Sequence, residues 1–190
     1  MEKRKILIGL LALITALVLA ACGGNEENTP NENAENESDS HGNIGKTDNI
    51  KKLVQDYSTD KITNGSASIT SRELIVSNED SSKTTYSLPK DEFFVSIAPY
   101  IETTHPCATH SLTSCQGELV NEEFDVYIED TEGNVIINQT MESQSNGFID
   151  LWVPRDKTYK VTIAYAENTV ESEFSTYDND NTCITTMQLI

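Results

Sequence analysis

The chain has 190 residues, 37% hydrophobic and 23% charged, with 31 acidic against 13 basic side chains and a formal net charge of -18. That length suits about one domain plus an appendage. The charge excludes nucleic-acid or anionic-membrane binding through a basic patch, because phosphates would be repelled instead of exchanging their counterions.

The first 21 residues read as a removable leader. Lys3, Arg4 and Lys5 precede an apolar run from Ile6 to Val18, too short to span a bilayer comfortably and matching a signal-peptide core. Leu19-Ala20-Ala21-Cys22 resembles the lipobox of bacterial lipoproteins, which implies lipidation of Cys22 and a membrane anchor. Removing residues 1–21 takes away Glu2 and three cations, a net +2, so the exported chain would carry -18 less +2, or -20. Residues 22–47 are rich in Asn, Glu and Ser, with too few apolar groups to repay the entropy of ordering. They read as an acidic tether, in which His41 is simply solvated.

Residues 48–104 read as a small α+β subdomain. "TDNIKKLVQDYS" offers Asp48 as N-cap and places Ile50, Leu53, Val54 and Tyr57 at helical spacing. "SASITSRELIVSN" and "TTYSLP", separated by the polar "NEDSSK", predict a β-hairpin beside that helix. "DEFFVSIAPYIETT" fits strand or helix alike, although Pro99 bars a long helix. Residues 105–117, "HPCATHSLTSCQG", form a Cys/His loop.

Residues 118–190 carry six short runs of alternating apolar residues, from "FDVYIED" to "TCITTMQL", separated by Gly, Asn and Asp turns. This predicts a mainly β fold whose C-terminal part is an antiparallel sandwich. Val126, Ile128, Val161, Ile163 and Tyr165 should point inward, with Trp152 plugging the core near Phe148. The runs resemble small transthyretin-like or immunoglobulin-like sandwiches, a likeness of fold that carries no chemistry.

The loop spacing is H-x-C-x2-H-x4-C. Once Cys22 is assigned to lipid, Cys107, Cys115 and Cys183 remain, an odd number that cannot all pair within one chain. Two thiolates with imidazole suit a soft cation such as Cu(I), and Cys183 in the last run would complete a three-sulfur set beside His105 or His110. A Cys107–Cys115 disulfide around the short loop, with Cys183 a buried thiol, explains the residues equally well. Zinc is a rival ion, although the C-x2-C knuckle is missing. No G-x-S-x-G motif or orienting acid accompanies a nucleophile. "YDNDNT" lacks the glycine of a calcium loop and reads as an Asx turn.

Three blocks, "FFVSIAPYIETTHPCATHSLTSCQGEL", "NGFIDLWVPRD" and "TCITTMQL", resemble the CueP family of exported copper-binding proteins. The resemblance implies a copper-resistance protein outside the cytoplasmic membrane in which Cys107, Cys115 and Cys183 handle copper and His105 and His110 flank them. It implies a copper ion as cargo and a donor or acceptor protein as partner, and leaves open whether two chains share a site. Where that pattern has a plain secretory signal, this chain has a lipobox and tether, which favours an anchored sequestrant or relay. An alternative is thiol redox chemistry that reduces Cu(II) or exchanges disulfides; another is a disulfide-stapled interaction module.

Overall fold

The computed structural model describes residues 47–190, with side chains from Asn49 onward. The expected leader, lipidated Cys22, nearly all of the tether and His41 lie outside the described residues. No helix among the described residues is long and apolar enough to cross a membrane.

Helix α1 spans Thr47–Ser58, so Asp48 falls in its first turn. Ile50, Val54 and Tyr57 are buried along one face, as the spacing requires. They cover strands β1 (Ser66–Ile69) and β2 (Glu73–Ser77), which pair antiparallel, with β3 (Lys83–Ser87) outside β2. The stretch expected as one arm of a hairpin thus divides at Thr70–Arg72. There the Thr70 hydroxyl accepts from the backbone N–H groups of Arg72 and Glu73 at 3.2 and 3.0 Å and stabilises an extra turn. Ala67, Ile69, Leu74 and Val76 point toward the helix and form a small core with Leu88, Phe94 and Leu112.

The remaining strands are β4 (Glu92–Ile97), β5 (His110–Ser111), β6 (Glu123–Asp130), β7 (Val135–Glu142), β8 (Ile149–Pro154), β9 (Thr158–Tyr165), β10 (Asn168–Ser175) and β11 (Cys183–Ile184). They complete three sheets, ordered β3-β2-β1-β5, β10-β9-β6-β7 and β11-β4-β8. The last two enclose the sandwich core, where Phe93, Val95 and Ile97 of β4 meet Phe124, Val126 and Ile128 of β6. Phe93 and Phe124 are wholly buried, each contributing about 1.5–3 kcal/mol relative to exposure.

The ambiguous "EFFVSI" is a strand covered on both faces. Phe93, Val95 and Ile97 face the sandwich, whereas Phe94 faces the small core and Ala98 a third cluster. A strand buried on both sides loses the alternation that identifies strands. β4 lies within the stretch 48–104, yet its antiparallel partner is β8 of the sandwich.

Val126, Ile128, Val161 and Ile163 are buried as expected. Tyr165 is only half-buried, because its hydroxyl reaches out to Glu122 Oε2 at 3.0 Å. Trp152 is a correction. The inward positions of β8 are Ile149, Leu151 and Val153, so period two turns Trp152 to the other face, where its ring sits 5.2 Å from that of Phe94 and beneath Lys51. The final run is also shorter than expected: only Cys183–Ile184 is strand, and it pairs parallel to β4.

Candidate metal centre

The site forms where the loop 105–117 folds back against the face of β4 and β8 opposite the sandwich core. Strand β5 holds the middle of the loop by pairing with β1, His110 opposite Ile69 and Ser111 opposite Ser68. Thr182 sits at the junction of all three segments. Its hydroxyl donates to Ile69 O at 2.6 Å and accepts from His110 N at 3.0 Å. Its backbone N–H and that of Cys183 both donate to Ala108 O, at 3.0 and 3.1 Å, while its carbonyl accepts from Ser96 N. These bonds carry the last cysteine across to the first.

Thr182 is 1% exposed, so Thr182→Val, which keeps the shape but strands a buried N–H and a carbonyl, is expected to cost about 1–3 kcal/mol. Urea unfolding measures it, and an unchanged midpoint would show that the junction does not depend on this hydroxyl.

Both ends of the loop are anchored. The Glu118 carboxylate accepts from the backbone N–H groups of Ile101, Glu102 and Thr103, the shortest at 2.7 Å. Burial pushes its pKa up, but those donors outweigh burial and hold it below the usual carboxylate range. On the other side Gly117 N donates to Asn146 O at 2.7 Å. There the backbone approaches so closely that a Cβ on Gly117 would lie 2.5 Å from Gly147 O.

Within this frame one ligand atom each from Cys107, His110, Cys115 and Cys183 lies within 4.8 Å of every other. The sulfurs of Cys107 and Cys183 are bonded, with Cα atoms 5.6 Å apart. Among the described residues Cys115 is the free thiol, its Sγ 3.5 Å from that of Cys107. The bonded pair therefore differs from the Cys107–Cys115 staple that loop spacing allowed as one of its readings. The parallel pairing of Cys183 with Ser96 on β4 brings the distant cysteine against Cys107, a connectivity that loop spacing cannot reveal.

His110 is wholly buried, its ring 4.5 Å from that of Phe148, and neither nitrogen has a hydrogen-bond partner among the described residues. Desolvation pushes its pKa down to about 4, with Asp150 pulling the other way and His105 adding to the depression. The imidazole is therefore neutral at physiological pH, the form that binds metal. An unpartnered buried imidazole among three sulfurs is costly unless something takes its lone pair. The donor set, soft sulfur with one nitrogen, fits a d10 ion such as Cu(I) or zinc.

His105 falls outside this four-residue group. It is half-buried, with its ring at the edge of Phe148, centroids 6.4 Å apart. Sequence reasoning passed over Ser96 on β4, Asp150 on β8 and Thr182, which immediately precedes β11. For Ser96 and Asp150 the available signal was their place opposite the apolar positions of β4 and β8.

The family model described as "Periplasmic copper-binding protein CueP" matches residues 48–188. Among solved structures, the crystal structure of S.CueP superposes with a TM-score of 0.71 at 37% identity, covering 77% of this chain and 91% of that one. No match was found among curated proteins.

Proposed function

The chain belongs to the CueP family of periplasmic copper-binding proteins, and from that premise we propose that it is an exported, lipid-anchored copper sequestrant. Reduced Cys107, Cys115 and Cys183 hold one Cu(I), with His110 as the nitrogen donor. The supporting observation is the convergence of four soft or borderline donors within 4.8 Å from two separate parts of the chain. Cys183 and His110 are buried, whereas Cys107 and Cys115 are half-exposed, so a copper donor or acceptor protein would exchange the ion on the Cys107–Cys115 side, with His105 nearby as an exchange ligand. Cu(I) is preferred over zinc because three thiolates favour the softer ion. Cys22 supplies the anchor.

Reduced protein titrated with Cu(I) should bind one ion per chain. The triple variant Cys107→Ser, Cys115→Ser, Cys183→Ser should bind none at the competing strength of a chromophoric chelator. Undiminished stoichiometry in the triple variant would refute the assignment, and Zn(II) displacing Cu(I) at equal concentration would reverse the choice of ion.

A second reading draws on the Cys107–Cys183 bond. Two thiols can reduce two Cu(II) to two Cu(I), forming one disulfide and releasing two protons, with Cys115 left beside the bond to attack it by exchange. Reduced protein mixed with excess Cu(II) then yields two Cu(I) per chain and stops. Continued production in the presence of a dithiol reductant marks an enzyme, and no Cu(I) at all excludes this chemistry.

A further inference from the structure

Period two places Phe148, Asp150 and Trp152 on the side of β8 away from the sandwich core, facing the cysteine loop and the small core. Across the three-stranded sheet the register sets Cys183, Ser96 and Asp150 side by side in one row. Adjacent strands lie about 4.8 Å apart, so the backbone of Asp150 stands about 10 Å from that of Cys183. Ser96 is wholly buried and donates its hydroxyl to Asp150 Oδ1 at 2.6 Å. That bond pins the carboxylate.

The other oxygen, Asp150 Oδ2, is buried without a partner among the described residues, as are Gln144 Oε1 and both nitrogens of His110. Asp150 and Gln144 line a cleft of about 410 Å³ with Phe94 and Trp152. Phe94 in turn lies 6.2 Å from the His110 ring, which itself packs on Phe148, two positions from Asp150 on the same face. The two lysines at the cleft pair elsewhere, Lys51 with Glu92 and Lys52 with Asp56.

A metal-bound imidazole needs its second N–H held by an acceptor, which sets both tautomer and ring orientation. We propose that Asp150 is the positioning residue for His110: Oδ2 accepts, through one bridging water, the hydrogen bond of one imidazole N–H, leaving the opposite nitrogen bare toward the sulfurs. Buried polar atoms left without protein partners are the usual hosts of such a water. The inference rests on the reading that the cluster holds copper, but its first test needs no metal.

In reduced, metal-free protein labelled with 15N-histidine, the His110 nitrogens should report one neutral tautomer. Asp150→Asn keeps the shape and the acceptor for Ser96 but presents an N–H₂ donor where Oδ2 accepted, so the tautomer should invert or become mixed. Cu(I) affinity should fall about 10–100-fold at unchanged stoichiometry, and Asp150→Glu should recover part of it. Identical His110 spectra in wild type and D150N overturn the proposal whatever copper does. Ser96→Ala, which unpins the carboxylate without changing charge, should move the same signals the same way and serves if D150N does not fold; unmoved signals there overturn it too. A wild-type protein that shows the single tautomer yet binds no Cu(I) sinks the copper reading and leaves the Asp150 assignment standing.

Discussion

Cys183→Ser is expected to damage the protein twice, by different routes that two conditions separate. In reduced protein it should lower Cu(I) affinity by more than about a hundredfold, since losing even an outer-shell partner of a metal ligand costs roughly ten- to a hundredfold. In oxidised protein it removes the Cys107–Cys183 bond, whose sequence separation is 76 residues. The chain-entropy model assigns a loop of that size about 4.5 kcal/mol. Freed Cys107 would then pair with Cys115, 3.5 Å away, restoring only the smaller gain of a short loop. Urea unfolding with and without reductant reads the second effect. A variant that matches wild type in both conditions would mean that Cys183 neither holds metal nor staples the fold.

Gly147→Ala should be the most harmful single-methyl addition around the site. Gly147 has φ +78°, and a Cβ there would lie 2.8 Å from the Cα, C and O of Gly117. Backbone meets backbone, so no flexible side chain can move aside. The left-handed conformation costs about 1–2 kcal/mol for a residue with a Cβ, and forced overpacking about 1–3 kcal/mol more. Gly133→Ala is the control, with φ +84° and nothing within 4 Å of its added Cβ, so it bears the first cost alone. The excess of G147A over G133A in unfolding free energy measures the close approach that seats Gly117 and, two residues earlier, Cys115. Equal losses would show that the approach relaxes freely.

The strands of the sandwich were legible because one face of β6 and of β9 meets solvent and the other the core, which leaves Val126, Ile128, Val161 and Ile163 in clean alternation. β8 was legible as a strand but not in its orientation. Both its faces are covered, so alternation could not say whether Trp152 or Leu151 pointed into the sandwich. The gathering of Cys107, Cys115 and Cys183 was foreshadowed by the odd cysteine count, and the structure brings them together with His110. Which two would bond was not legible, because the parallel seating of Cys183 beside Ser96 is a contact between segments far apart in the chain. Asp150 escaped notice for the same reason: its link to the loop runs across strands and through Ser96.

The stitching of Thr182 and Cys183 onto Ala108 sets an order of events. Were the chain exported N-terminus first, as the proposed leader implies, Cys107 and Cys115 would meet extracytoplasmic oxidants before Cys183 arrives. The early thiols can therefore close on each other first, and the late sulfur must then displace Cys115 by exchange. On that route, how quickly a newly made molecule becomes able to take up copper would depend on the thiol chemistry of its surroundings as much as on how fast its strands assemble.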